Sequence, residues 1–203
     1  MRVRHLLVAF LFLLSCEGHS QGKIGGPCQG CEAVYEYGDR TLTATDTLPG
    51  FHENEPRLLV EGRVFQQDGQ SPAEGVILYI YHTSRKGLYE ARAGATDWAS
   101  RHGYIRGWVR TGPSGYYRFY TVRPSPYPDG REPEHIHLTV KEADKQEYYL
   151  DSYFFTDDPF LTPEEIASHD NRGGSGVTTP TMEHGILTVK RDIILGKNIP
   201  NYP

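Results

Sequence analysis

The residues that most constrain how this chain folds are 135–140, His-Ile-His-Leu-Thr-Val, which alternate strictly between polar and apolar. A period of two belongs to an extended strand, so His135, His137 and Thr139 point to one face while Ile136, Leu138 and Val140 point to the other. The back of such a strand demands an apolar layer behind it. The front presents two imidazoles about 6–7 Å apart, within reach of a single ion. Just upstream, Pro124, Pro126 and Pro128 surround Tyr127 and mark a stiff turn into the strand.

Strand-like composition extends along the chain. Residues 57–65 and 75–82 are rich in β-branched and aromatic residues and are separated by the turn Gln67-Asp68-Gly69-Gln70-Ser71-Pro72. The second run is almost continuously apolar, which predicts burial on both faces. Residues 107–111 and 116–122, joined by Gly112-Pro113-Ser114-Gly115, read as a β-hairpin, and further strands are expected at 147–155 and 185–195. Thr162-Pro163-Glu164-Glu165 has the capping-box spacing with Pro at the first helical position, so one short helix should run to about His169. With 14 Tyr, 22 Gly and 14 Pro in 203 residues, the expectation is an all-β chain: a single β-sandwich of immunoglobulin-like or transthyretin-like arrangement, with long site-building loops and one helix. The long excursion over residues 90–106 is one such loop, and residues 57–203 form the core domain.

The N-terminus reads as an export signal. Arg2 and Arg4 precede an apolar run from Leu6 to Leu14, too short to span a bilayer as a mature helix, so residues 1–15 are set apart from the fold. Leu13-Leu14-Ser15-Cys16 resembles a lipobox in which Cys16 would be acylated and tether the protein to a membrane; cleavage after Ser20, with Gly18 at the minus-three position, is the alternative. Export implies an oxidising compartment, in which Cys28 and Cys31 are expected to form a small disulfide loop. A zinc site would need four ligands, and a thioredoxin-type site would need a following helix. Residues 16–56 then form an N-terminal segment whose acidic, Thr and Pro residues, without clear periodicity, wrap the domain. The net charge of −5, more negative once Arg2 and Arg4 are removed, disfavours nucleic acid as a partner.

A His pair on a strand is often no more than a half-buried polar pair. Here Tyr89 and Tyr127 both lie at strand-exit turns, where side chains can converge on the rim of a sandwich. Two tyrosinates with two neutral imidazoles suit a hard, highly charged ion such as Fe(III) better than zinc.

These residues carry a resemblance. Gly107 to Val140, with Thr111, Gly115-Tyr116-Tyr117-Arg118-Phe119, Thr121, Pro124-Ser125-Pro126-Tyr127-Pro128 and His135-Ile136-His137, resembles the core of the intradiol ring-cleavage dioxygenases, and Gly87-Leu88-Tyr89 falls where that family has its Gly-x-Tyr. The resemblance implies a non-haem Fe(III) held by Tyr89, Tyr127, His135 and His137. It also implies a catechol-type aromatic diol as substrate, with O2 cleaving the ring between the hydroxyl-bearing carbons to a muconate-type diacid. Tyr127 would inherit the role of the axial ligand that leaves as substrate binds and takes up a substrate proton. The family's Arg stands three residues before the first His; here Arg131 stands four before His135, and is the candidate for stabilising negative charge on the substrate. Where the family has a downstream Gln, this chain has Ser152 or Asp151, and its Thr-Asp is Thr111-Gly112 here.

Overall fold

A computed structural model describes residues 22–203. The expected export signal, with Arg2, Arg4 and Cys16, lies outside the described residues. In chain order the described elements are β1 (Thr45–Thr47), β2 (Arg57–Phe65), β3 (Ile77–Tyr81), β4 (Arg106–Arg110), β5 (Tyr116–Val122), β6 (His135–Lys141), β7 (Tyr148–Phe155), α1 (Pro163–Ser168), β8 (Val177–Thr178), β9 (Thr181–Glu183), β10 (Ile186–Lys190) and β11 (Ile193–Ile194), with single 3₁₀ turns at Cys31–Tyr35 and Asp97–Ser100. The strands form two sheets, β1-β5-β2-β10-β9, with β11 also pairing β2, and β4-β3-β6-β7-β8. The chain is an all-β sandwich.

Alternation places the core between the sheets. Leu58, Val60 and Val64 of β2, Phe119 of β5 and Val189 of β10 meet Leu78 and Ile80 of β3, Ile136, Leu138 and Val140 of β6 and Leu150 and Phe155 of β7, all buried in one cluster. At roughly 25 cal/mol per Å² of apolar surface removed from water, this cluster dominates the stability of the domain. A hydrogen bond of 2.7 Å between the Tyr117 and Tyr153 hydroxyls, both buried, ties β5 to β7 across it.

Residues 107–122 do not form the expected hairpin. β4 pairs with β3, and β5 pairs with β1 and β2, so the turn at 112–115 is an arch from one sheet to the other. The Thr111 hydroxyl anchors it by donating to the Ala73 carbonyl at 2.7 Å and accepting from the Val76 N–H at 3.0 Å. Both strands have an inward face to bury, and two packed sheets bury more than one hairpin can.

β3 is buried on both faces as its composition predicts. Leu78 and Ile80 enter the inter-sheet core, while Ile77 and Tyr79 join Trp108, Ala33 and Val34 in a second cluster on the outer face. That outer cover comes from the N-terminal segment. Cys28 and Cys31 are disulfide-bonded, the Trp108 indole N–H donates to the Ala33 carbonyl at 3.1 Å, and β1 adds a parallel edge strand to β5. Short α1 is capped as expected, the Thr162 hydroxyl accepting from the Glu165 N–H at 3.2 Å.

Candidate metal centre

Burial of Ile136, Leu138 and Val140 in the core turns His135, His137 and Thr139 onto the outer face of their sheet. Loops supply the rest. The segment after β3 is laced to the segment before Tyr127: the Thr83 hydroxyl donates to the Ser125 carbonyl at 2.6 Å, and the Ser125 hydroxyl to the Arg85 carbonyl at 3.0 Å. Gly87 lies at the closest approach, with a backbone φ of +72° and room for a Cβ only 2.1 Å from the Pro126 carbonyl oxygen. This lacing brings Tyr89 and Tyr127, 38 positions apart, to within a hydrogen bond of each other.

Four donor atoms close into a ring. Tyr89 Oη lies 2.7 Å from Tyr127 Oη and 2.8 Å from His137 Nε2; Tyr127 Oη lies 3.2 Å from His135 Nε2; and the two Nε2 atoms are 3.2 Å apart. His135 Nδ1 is 2.8 Å from the Pro133 carbonyl, which can only accept, so Nδ1 carries the proton and Nε2 offers its lone pair to the ring. Burial pushes the Tyr89 phenol far above its usual range, aided by its hydrogen bond with Tyr127, and burial also raises Tyr127. Burial drives the His137 imidazolium well below the ordinary range, with His135 adding to the effect. Burial thus favours the uncharged forms of Tyr89, Tyr127 and His137 where they face one another.

Such a set fits a cation. Two donors each about 2.1 Å from one ion and about 90° apart stand about 3 Å from each other, which is the spacing found here. A trivalent ion would also reverse the effect of burial on the phenols, since a bound cation deprotonates its ligands. Among the described residues no three His, Cys, Asp or Glu side chains gather as a metal site; the donors here are two Tyr and two His.

His137 is held largely by packing. Its Nδ1 lies 3.5 Å from Ser152 Oγ, while its face stacks on Tyr81 with centroids 4.5 Å apart and planes 19° apart. Tyr81 in turn stacks on His102 at 3.7 Å and 4°, and His102 Nδ1 is 2.8 Å from the Tyr79 hydroxyl. Burial lowers the pKa of His102 to about 4, so an uncharged ring backs the column.

A β-bulge shapes the other side. In the β6–β7 ladder Ile136 pairs with Tyr153 and Leu138 with Leu150, leaving Asp151 and Ser152 opposite the single residue His137. Both side chains line a cavity of about 580 Å³ that also touches Tyr81, His137, Phe154 and His169. The Cys28–Cys31 loop contributes Pro27, Cys28, Gln29 and Gly30 to its wall.

The structure therefore gathers Tyr89, Tyr127, His135 and His137 at one point. Arg131 stands apart: it is exposed, it does not line the cavity, and its side chain makes neither a hydrogen bond nor an ion pair with the described residues. Glu134, the alternative ion-pair partner for it, is held instead by Arg123 at 2.5 Å. Of the other aromatic residues near the motif, Trp108 packs on Tyr79, and His82 is buried with its Nε2 2.7 Å from the Thr121 hydroxyl. The positions that sequence reasoning passed over are His169 and the disulfide loop. Neither carries a local signal, because each reaches the cavity from a different part of the chain.

Comparison with known proteins identifies the family of this chain. A family model described as Dioxygenase, Dioxygenase_C, matches residues 33–188. No curated protein matches the chain significantly. Among solved structures, the dioxygenase domain of a dioxygenase carbohydrate-binding protein fusion from Streptomyces sp. SirexAA-E shares the fold at a TM-score of 0.57 and 19% identity, covering 78% of this chain and 90% of that one. A catechol 1,2 dioxygenase of Acinetobacter radioresistens aligns at a TM-score of 0.59 and 17% identity over 90% of this chain and 64% of that one. The chlorocatechol 1,2-dioxygenase of Pseudomonas putida aligns at 0.53 and 21% identity over 79% and 68%. This chain accordingly spans under two thirds of the Acinetobacter enzyme. With the family match covering most of its length and the four-donor cluster at its centre, the chain belongs to the intradiol ring-cleavage dioxygenases.

Proposed function

We propose that the protein is an Fe(III)-dependent intradiol dioxygenase, with Tyr89, Tyr127, His135 and His137 as the residues that hold the iron. The observation that carries this is the convergence of the four donor atoms, each 2.7–3.2 Å from its neighbours. When bound, ferric iron supplies the Lewis acidity that keeps both catechol oxygens ionised and makes the ring reactive toward O2. The overall change adds both atoms of O2 to the diol and breaks one ring C–C bond, giving a diacid.

The residues divide the remaining work. Tyr89, more shielded than Tyr127 and bonded to both Tyr127 and His137, anchors the cluster. Tyr127, on the proline-rich loop, would be the donor that accepts a substrate hydroxyl proton at its Oη. His135 and His137 are the nitrogen donors, the first held by the Pro133 carbonyl and the second by the Tyr81 face. Ser152, 3.5 Å from His137 Nδ1, and Asp151 are the two residues that would take the place of the family's Gln. Arg131, exposed on the loop between Tyr127 and His135, is the candidate for stabilising negative charge on a bound substrate. Export, which a Cys28–Cys31 disulfide supports, would put the reaction outside the cytoplasm, with Cys16 as a membrane tether unless the chain is cut after Ser20 instead.

Iron-loaded protein should absorb visible light, because ferric tyrosinate does. Tyr127→Phe should shift the band and lower catechol-dependent oxygen uptake by at least about hundredfold, since proton transfer to a positioned group contributes roughly 10²–10⁴. Purified protein that stays colourless and iron-free after reconstitution would overturn the proposal.

Tyr81 offers a separate check on the positioning of His137. Tyr81→Phe keeps the stacked column and should bind iron nearly as wild type does. Tyr81→Leu removes both ring faces, and a drop in iron affinity of about tenfold or more is expected, the usual effect of disturbing a ligand's support. Equal iron affinity in the two variants, read by competition with a chelator, would show that the stack does not position His137.

A further inference from the structure

The cavity beside His137 is much larger than one aromatic ring requires. Its volume of about 580 Å³ lies within the range of roughly 300–1,000 Å³ that accommodates drug-sized ligands. From His137 and Tyr81 it passes Ser152 and Asp151 on the β7 bulge and reaches Ser168, His169 and Asp170 after α1. Two carboxylates line it, and no Lys or Arg does.

The polar groups of this wall are incompletely used. His169 has a side chain nine-tenths buried and stacks on Phe154 at 4.4 Å and 21°. Neither of its ring nitrogens has a hydrogen-bond partner among the described residues. The nearest carboxylate contact, Glu165 Oε1 at 3.7 Å from Nε2, is too long for a hydrogen bond. One Asp151 oxygen accepts the Asn171 N–H at 2.6 Å. Two arginines stand behind the wall without lining it. The Arg172 guanidinium lies 3.8 Å from the Tyr149 ring centroid and donates to the Gly25 carbonyl, and Arg191 donates to the Asp151 carbonyl at 2.6 Å. Their hydrogen bonds go to backbone carbonyls, which leaves half-buried Asp151 and, where the wall is exposed, Asp170 as the charged residues of the lining.

We propose that this cavity makes the enzyme selective for neutral or cationic catechols bearing a polar substituent, and against catechols with a ring carboxylate; this rests on the dioxygenase reading above. The ring binds at the four-donor cluster. The substituent extends along β7, where Asp151 and Asp170 attract a hydroxyl or ammonium group and the imidazole of His169 takes a hydrogen bond. A substituent carboxylate a few ångströms from these two acids meets repulsion sufficient to weaken binding about tenfold or more, even with solvent screening.

The test uses iron-loaded protein and three catechols that differ at position 4: a carboxylate, a hydroxymethyl and an aminomethyl group. Dissociation constants are measured without oxygen by calorimetry, and kcat/KM by oxygen uptake. The hydroxymethyl and aminomethyl compounds should bind about tenfold or more tightly than the carboxylate. Asp151→Asn and Asp170→Asn together should narrow the gap, and His169→Phe should weaken the hydroxymethyl compound selectively. Equal or tighter binding of the carboxylate overturns the proposal. Binding in the expected order without oxygen uptake upholds the charge selectivity and sinks the dioxygenase reading. Failure of all three to bind overturns both.

Discussion

Replacing His137 by alanine is expected to give a folded protein that neither retains iron nor consumes oxygen with a catechol. His137 Nε2 contacts both Tyr89 Oη at 2.8 Å and His135 Nε2 at 3.2 Å, so its loss opens the ring of donors at two places. Disturbing groups that merely support a metal ligand costs about 10–100-fold in affinity, and removing the ligand itself should cost more. The fold should survive, because the ring lies on the outer face of the sheet and the core beneath it is made by Ile136 and Leu138. Losing the stack on Tyr81 and the buried ring volume should cost about 1–3 kcal/mol, a fall in Tm of several degrees. Iron content after dialysis, the visible spectrum and far-ultraviolet circular dichroism measure these together. Stoichiometric iron with unchanged colour in this variant would show that the four-donor assignment is wrong.

Gly87→Ala should disable the site from a position that touches none of the four donors. A Cβ there would stand 2.1 Å from the Pro126 carbonyl oxygen, a backbone atom that cannot rotate aside, and the residue has a φ of +72°. The left-handed conformation alone costs about 1–2 kcal/mol for a residue with a Cβ. Relief of the clash must push the loop bearing Tyr89 away from the loop bearing Tyr127. A total loss of about 2–4 kcal/mol is expected, with iron binding falling further than stability does. Gly94→Ala is the control: its φ is +79°, but nothing lies within 4 Å of its Cβ position, so it should incur the conformational cost alone and keep the visible band. If the two variants lose equal stability and both keep their colour, the close approach at Gly87 does not hold the tyrosines together.

Much of this fold is legible along the chain. Period-two patterning located β6, strand-like composition located β2, β3 and β7, and the capping box located α1, because each depends on neighbours within a few residues. The pairing of β4 and β5 was not legible. Gly112-Pro113-Ser114-Gly115 suits a hairpin turn as well as an arch, and the choice is made by the inward faces of Val109 and Phe119, which pack between the two sheets. The cover over the outer face of β3 was equally hidden, since residues 31–37 have no periodicity and take their shape from Tyr79 and Trp108 beneath them.

The sequence by itself determined that two imidazoles share a strand face with an apolar back, that a proline-stiffened tyrosine precedes them, and that a Gly-x-Tyr follows an earlier strand. These are local facts, set by the pleat of a strand and the steric limits of Gly and Pro. Only the tertiary structure decided that four donor atoms 2.7–3.2 Å apart form one cluster. It also decided that Arg131 faces solvent, and that a bulge turns Asp151 and Ser152 toward His137. The physical reason is distance along the chain. Tyr89 and His137 are separated by 48 positions, and their approach depends on loop-to-loop hydrogen bonds and a single close glycine, which appear only once both sheets have packed.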